Sequence, residues 1–205
     1  MRYVEFREAL KDFRIFSLSD IRKIDENFHR RRLNEWQDKG YIKKLIDKYY
    51  IFSDSKLNEN ILFEIANRIY SPSYISLEMA LSYYNLIPDT VYTITSISTR
   101  RTYTFNTSLG DFAYRTIKSN LFFGYQLINY NDGRFKIGSA EKVILDYLYL
   151  NPNIKREVDF RALRINRDVF IERVDKDNLY KYLEGFNQKT LKIRIKSFLE
   201  FIKNA

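Results

Sequence analysis

The sequence predicts an α+β protein, and three observations carry that prediction. A basic run, NFHRRRLNEWQDKG, has apolar residues at helical spacing and leads into two short aromatic and β-branched runs, YIKKLI and YYIF. Residues 57–149 mix amphipathic stretches with tyrosine-rich, alternating segments, and residues 150–205 return to helical periodicity. Lys and Arg outnumber Asp and Glu by 14 to 10 in residues 1–56 and by 13 to 8 in residues 150–205, while the middle balances at 8 to 8. Any anionic partner is therefore expected at the ends of the chain.

Composition sets the outer limits. A chain of 205 residues that is 45% hydrophobic and 17% aromatic can fill one large core or two small ones. The net charge of +9 favours nucleic acid or an acidic membrane surface. No apolar run approaches the roughly 20 residues that span a bilayer, and the N-terminus MRYVEFREALKD is charged throughout, so no membrane role and a cytoplasmic location are expected. Without cysteine there is no disulfide or thiolate, and a lone histidine, His29, cannot build a Cys/His metal cluster. No metal and no cofactor are expected.

Taken in order, Phe6, Leu10 and Phe13 recur at helical spacing and predict a first helix from about Tyr3 to Arg14. Ser17 and Asp20 form the S-x-x-D pattern of a capping box, so a second helix follows with Leu18, Ile21 and Ile24 inward. Asp25, Glu26 and Asn27 read as a short turn before the basic helix. There Leu33 and Trp36 share a face with His29, which leaves Arg30, Arg31 and Asn34 outward, and Gly40 closes the helix. YIKKLI and YYIF then make a hairpin, with Asp47 and Lys48 at its tip. This is the pattern of a winged helix-turn-helix. The 21 residues from Phe28 to Lys48 hold seven Lys or Arg against three Asp or Glu. Arg30, Arg31 and Asn34, with Arg32 beside them, are the candidates for reading the major groove of double-stranded operator DNA. Lys43, Lys44 and Lys48 would grip phosphate, and Arg22 and Lys23 would face the DNA backbone. The polar stretch SDSKLNEN marks a boundary, which makes 1–56 the DNA-binding domain and 57–205 a second domain, with 151–205 a helical extension.

The second domain opens with an amphipathic helix carrying Leu62, Ile65, Ala66 and Ile69, ended before Pro72. Ser76 caps the next helix, with Leu77, Ala80, Leu81 and Tyr84 inward. VYTITSI and TYTF read as a hairpin whose tip carries Arg100 and Arg101. Further strands are expected at Leu121 to Asn129 and Arg134 to Ile137, around an Asn131, Asp132, Gly133 turn, and Ser139 caps a helix through Leu148. The whole is a mixed α/β domain with a small antiparallel-rich sheet and a C-terminal helical region.

Several stretches together resemble the AbiEi-type antitoxins of bacterial abortive-infection, or type IV, toxin-antitoxin systems. They are RRRLNEWQDKGYIKK and YYIF, ANRIYSPSYISLEMALSYYNLIPD, VYTITSISTRRTYTF, LGDFAYRTIKSNLFFGY and SAEKVILDYLYL, in the expected order over about three quarters of the chain. The resemblance implies a winged-helix domain that represses its own operon, joined to a domain that counters a nucleotidyltransferase toxin without forming a stable complex. Arg100, Arg101 and Glu141 are the candidates in that second domain. The chain departs from the family where Asp47 and Lys48 replace the glycine common at the tip.

The likeness thins after Asn151. Arg161, Arg164 and Arg167 recur every third residue and would make a cationic stripe on one helix, which reads as a solvated face. Leu191, Ile195, Phe198 and Ile202 form a seam that covers a core or, less favourably, pairs with another chain. No G-x-S-x-G, P-loop or G-x-G-x-x-G is present, and Glu141 and Asp146, five apart on a helix, point in different directions, so no enzyme is expected. A protein-interaction module that docks an acidic protein or the toxin, a stand-alone regulator, and RNA binding through the basic ends are the competing readings.

Overall fold

A computed structural model describes residues 1–131 and 133–204. The secondary structure is mixed α and β, with a three-stranded sheet, a six-stranded sheet and a helical C-terminal end. None of the helices among the described residues is long and apolar enough to cross a membrane.

The first 52 residues gather around Phe6, which is fully buried against the rings of Phe16, Phe28, Trp36 and Phe52. Helix α1 (Tyr3–Ala9) ends sooner than its apolar spacing predicts. Phe13 lies beyond it, its ring beneath the Arg68 guanidinium. Strand β1 (Phe16–Ser17) is only two residues long, too short to leave an alternation in the sequence. Helix α2 (Leu18–Arg22) begins with the expected capping box, in which Ser17 and Asp20 satisfy each other's backbone amides. Ile21 is buried as expected, but Ile24 is 47% exposed. The short turn is also corrected: residues 23–30 separate α2 from α3 (Arg31–Asp38), because Phe28 is drawn into the aromatic core and holds the chain irregular. His29 precedes α3 and is exposed, not packed inside. Leu33 and Trp36 are buried, and Gly40, at φ +70°, ends the helix in the left-handed conformation. Strands β2 (Ile42–Ile46) and β3 (Tyr49–Phe52) form the expected hairpin. β1 adds to β3, giving the order β1-β3-β2.

This unit packs directly on the remainder. Ile15, Leu45 and Ile51 belong to the larger apolar cluster, Arg68 pairs with Asp20 at 2.8 Å, and the Tyr49 hydroxyl donates to the Arg68 carbonyl.

Helix α4 (Glu59–Ile69) is capped by Asn58 and buries Ile61, Phe63, Ile65, Ala66 and Ile69, whereas Leu62 sits at the edge. Strand β4 (Ser73–Ile75), helix α5 (Leu77–Tyr83) and strand β5 (Ile94–Ser98) follow. The expected hairpin between VYTITSI and TYTF does not form. β6 (Tyr103–Thr107) pairs instead with β7 (Gly110–Thr116), and β7 inserts beside β5 in parallel, from Ile94↔Phe112 to Ser98↔Thr116. Burial explains the order. Phe112 and Tyr114 are fully buried, while Tyr103 and Thr104 are exposed, so β7 takes the inner place and β6 the edge. After a 3-10 turn at Ser119–Leu121, β8 (Tyr125–Tyr130) begins later than expected and pairs with β9 (Gly133–Gly138). Asp132, in the expected turn between them, lies outside the described residues. The sheet runs β6-β7-β5-β4-β9-β8, with parallel pairs at β5/β7 and β4/β9.

Helix α6 (Ala140–Leu150) is capped by Ser139 and carries a feature the sequence did not announce. Lys142 and Asp146, both 0% exposed, form an ion pair one turn apart. Asp146 also accepts from the hydroxyls of Tyr74 (2.8 Å) and Ser76 (3.0 Å), while Lys142 donates to Tyr74 and lies over the rings of Phe123 and Phe186. Ser76 is thereby diverted from capping α5, and the Thr95 hydroxyl accepts the Met79 amide in its place. Arg194 closes the other end of α6, donating to the carbonyls of Leu148, Asn151 and Ile154.

The remaining helices are α7 (Glu157–Ala162), α8 (Arg167–Arg173), α9 (Lys176–Phe186) and α10 (Lys189–Asn204). Arg161, Arg164 and Arg167 do not share a helix. Arg164, at φ +53°, lies between α7 and α8, so the cationic stripe is not formed. Leu191, Ile195, Phe198 and Ile202 are all buried, so the α10 seam covers a core.

Candidate nucleic-acid interface

The segment before α3 brings the basic residues of three elements together. Arg22 and Lys23 at the end of α2, Arg30 at the N-cap of α3, and Lys48 at the tip of the β2–β3 hairpin line one concavity of about 790 Å³, with Tyr49 and Tyr50 on its wall. Glu26 is the only carboxylate among its lining residues. The α3 dipole places its positive end here with no acidic residue in the first turn to offset it, although the Arg32 and Leu33 amides already donate to the His29 and Arg30 carbonyls. The adjacent arginines oppose that dipole, at a cost of order 0.3–1 kcal/mol each when exposed.

The tip is built against a backbone preference. Lys48 adopts φ +79°, a region that costs a residue with a Cβ about 1–2 kcal/mol relative to glycine. Ile46 pairs with Tyr49, so Asp47 and Lys48 alone form the turn, with a register shift between Lys44 and Ile46. Lys44 donates to Asp47 at 2.8 Å, and this hydrogen bond holds the Asp47 carboxyl below its ordinary range, with Arg30 and Lys48 adding to the effect. Lys44 is thus partly committed within the hairpin. Lys43 and Lys48 are exposed and point their charge to solvent.

On α3 itself the trio divides. Arg31 and Asn34 are exposed on the open face, Arg31 lying 3.6 Å from Glu35 in a pair too exposed to contribute much. Arg32 turns the other way and donates to the Met1 carbonyl, tying the N-terminus down. Its half-burial removes it from the candidate interface. Asp20 supports the same region from behind. Burial alone would raise its pKa, but hydrogen bonds from Ser17 and the nearby Arg68 outweigh burial and hold it below its ordinary value.

In the second half, Arg100 and Arg101 occupy the link between β5 and β6, not a hairpin tip, and both are exposed. Glu141 is buried and committed. One oxygen accepts from the Ser139 hydroxyl and the other from the Asp175 amide at the start of α9, so its role is structural. The tyrosines on the concavity wall escaped sequence reading. Tyr49 and Tyr50 sit in a strand run that looks like ordinary core, and only the folded hairpin turns Tyr49 toward the cations. Among the described residues no group of His, Asp or Glu is placed to hold a metal ion.

No family model matches the chain, and no curated protein matches it.

Proposed function

We propose that the protein is a double-stranded DNA-binding transcriptional repressor of the winged helix-turn-helix type. In this reading residues 57–205 form an antitoxin domain that opposes a nucleotidyltransferase toxin without a stable complex. The observation that carries the DNA-binding reading is the convergence of Arg22, Lys23, Arg30 and Lys48 on one concavity beside the exposed face of α3. A phosphate backbone is the polyanion that such a set of cations fits, and an α-helix of roughly 10–12 Å diameter suits the major groove. Arg30, Arg31 and Asn34 then approach base edges, and Lys43 and Lys48 hold phosphate on either side. The antitoxin part rests on the resemblance of the strings in the second domain.

The test is a salt titration of binding to duplex DNA from upstream of the protein's own coding sequence, paired with a footprint on the same DNA. Binding should fall steeply with salt, with a slope near −0.9 for each phosphate contacted, and a protected segment should appear. Affinity independent of salt would end the reading. For the second domain, co-expression with a nucleotidyltransferase encoded beside it should restore growth; failure to rescue would remove the antitoxin role and leave a regulator alone.

A further inference from the structure

Lys48 and Tyr49 have a second concavity on their far side. A groove of about 620 Å³ runs between the β2–β3 tip and the six-stranded sheet, lined by Lys48 and Tyr49 on one bank and by Tyr70, Arg100, Arg101 and Tyr103 on the other. The two concavities share Lys48 and Tyr49, so cations follow one another from Arg22, Lys23 and Arg30, across Lys48, to Arg100 and Arg101. Asp47 is the one carboxylate in the second groove's lining, and it already accepts from Lys44.

The link carrying the two arginines is held in place. The Tyr70 hydroxyl donates to the Arg101 carbonyl at 2.8 Å, the Thr116 hydroxyl donates to the Arg100 carbonyl at 2.7 Å, and the Arg100 amide donates to the Ser98 hydroxyl. Above this, the Arg100 guanidinium sits 4.2 Å over the Tyr70 ring, and Arg101 lies near the Tyr103 ring. Stacking covers a guanidinium's face and leaves its N–H edges, which match the oxygens of a phosphate. Ordering these side chains in advance lowers the entropy lost on binding. The same packing argues against base stacking. The Tyr70 ring faces Arg100 and packs on Tyr114 and Tyr103, so it offers no open surface to a base.

We propose that Arg100 and Arg101 bind the sugar-phosphate backbone of the same duplex beyond the segment met by α3, making the second domain part of the DNA interface. This rests on the DNA-binding reading given above. Lys48 is the hinge of the contact, meeting phosphate between the two sets.

The experiment uses the full chain and a labelled duplex of about 30 base pairs, roughly three turns of B-DNA. Each phosphate contact contributes about 0.9 to the slope of log affinity against log salt. The variant Arg100→Gln/Arg101→Gln should lower that slope by about 1 to 2 and weaken binding several-fold, while Arg100→Lys/Arg101→Lys keeps most of it. Since Arg100 packs on Tyr70, the single Arg101→Gln variant is a second measure, expected to lower the slope by about 1 with unchanged melting temperature. If both Gln variants keep the native slope while Arg30→Ala lowers it, the DNA-binding reading survives and this extension is wrong. If the native chain shows no salt-dependent affinity for the duplex, or is displaced from it by structured RNA alone, both fail together.

Discussion

Lys142 and Arg30 are both cations at the start of a helix, and the protein treats them in opposite ways. Lys142 is fully buried, paired with Asp146, and placed among the rings of Tyr74, Phe123 and Phe186. Burial lowers its pKa and raises that of Asp146, and each partner offsets part of the effect on the other. Arg30 stands at the mouth of a concavity with other cations and one carboxylate. Inside, charge is completed by the chain itself: a salt bridge and two hydroxyls leave nothing for a partner to do. Outside, charge is accumulated and left incomplete. That contrast separates a charge completed within the fold from one left open at the surface.

The buried pair is the more sensitive to substitution. Asp146→Asn leaves the Lys142 ammonium buried without a counterion, and unfolding should show a loss of about 3 to 5 kcal/mol. The paired replacement Lys142→Met/Asp146→Leu should recover only the part due to the unpaired ammonium, because it still takes from the buried Tyr74 and Ser76 hydroxyls their carboxylate acceptor. A single variant as stable as the native protein would mean that the pair is not buried as charge.

At the surface the expectation reverses. Arg22→Ala/Lys23→Ala/Arg30→Ala should leave stability within about 0.5 kcal/mol, as exposed substitutions do, yet reduce the salt slope of DNA binding by about 2 to 3. Arg32→Ala, in contrast, should leave that slope alone, since its guanidinium serves the Met1 carbonyl. Equal losses from both would erase the division of the arginine trio.

Lys48→Gly sharpens the contrast further because it separates fold from charge at one position. Removing the Cβ at φ +79° should stabilise the hairpin by about 1 kcal/mol, the strain relieved less the extra entropy that glycine loses on folding, while the slope falls by about 1. Melting and titration of one variant read both effects.

The smallest effect expected is that of pH. Asp20 has its pKa lowered in the folded state, so its contribution is complete above the unfolded value, near pH 4, and is lost as pH falls through the lower folded value. Because Arg68 is its partner, Asp20→Asn should flatten the acid side of the stability curve and loosen α2 from α4. A variant that titrates like the native chain below pH 4 would show that this contact carries no linkage.

Local patterns were legible where neighbours in sequence complete one another. The Ser17–Asp20 capping box, the caps at Ser139 and Gly40, and the β2–β3 hairpin depend on residues a few positions apart, and each is where the sequence places it. The exposure of Arg22, Lys23, Arg30, Arg31, Lys43 and Lys48, and of Asn34 among them, was also legible from residue type and from position on the helix or hairpin. Misreadings arose where spacing mimicked an element. Phe13 and Ile24 carry helical spacing but fall outside α1 and α2, and Arg161, Arg164 and Arg167 are divided by a residue at positive φ.

The chain's own residues thus determined the helix boundaries set by caps, the mixed α and β character and the concentration of positive charge at the ends, since these depend on steric preference and composition. Tertiary structure alone decided three things. It chose β7 over β6 as the neighbour of β5, it buried Lys142 against Asp146 and Tyr74, 68 residues away, and it set Lys48 between two grooves. In each, the deciding energy is burial or charge shared between segments far apart in the chain, and no local pattern records which distant partner will compete best for that place.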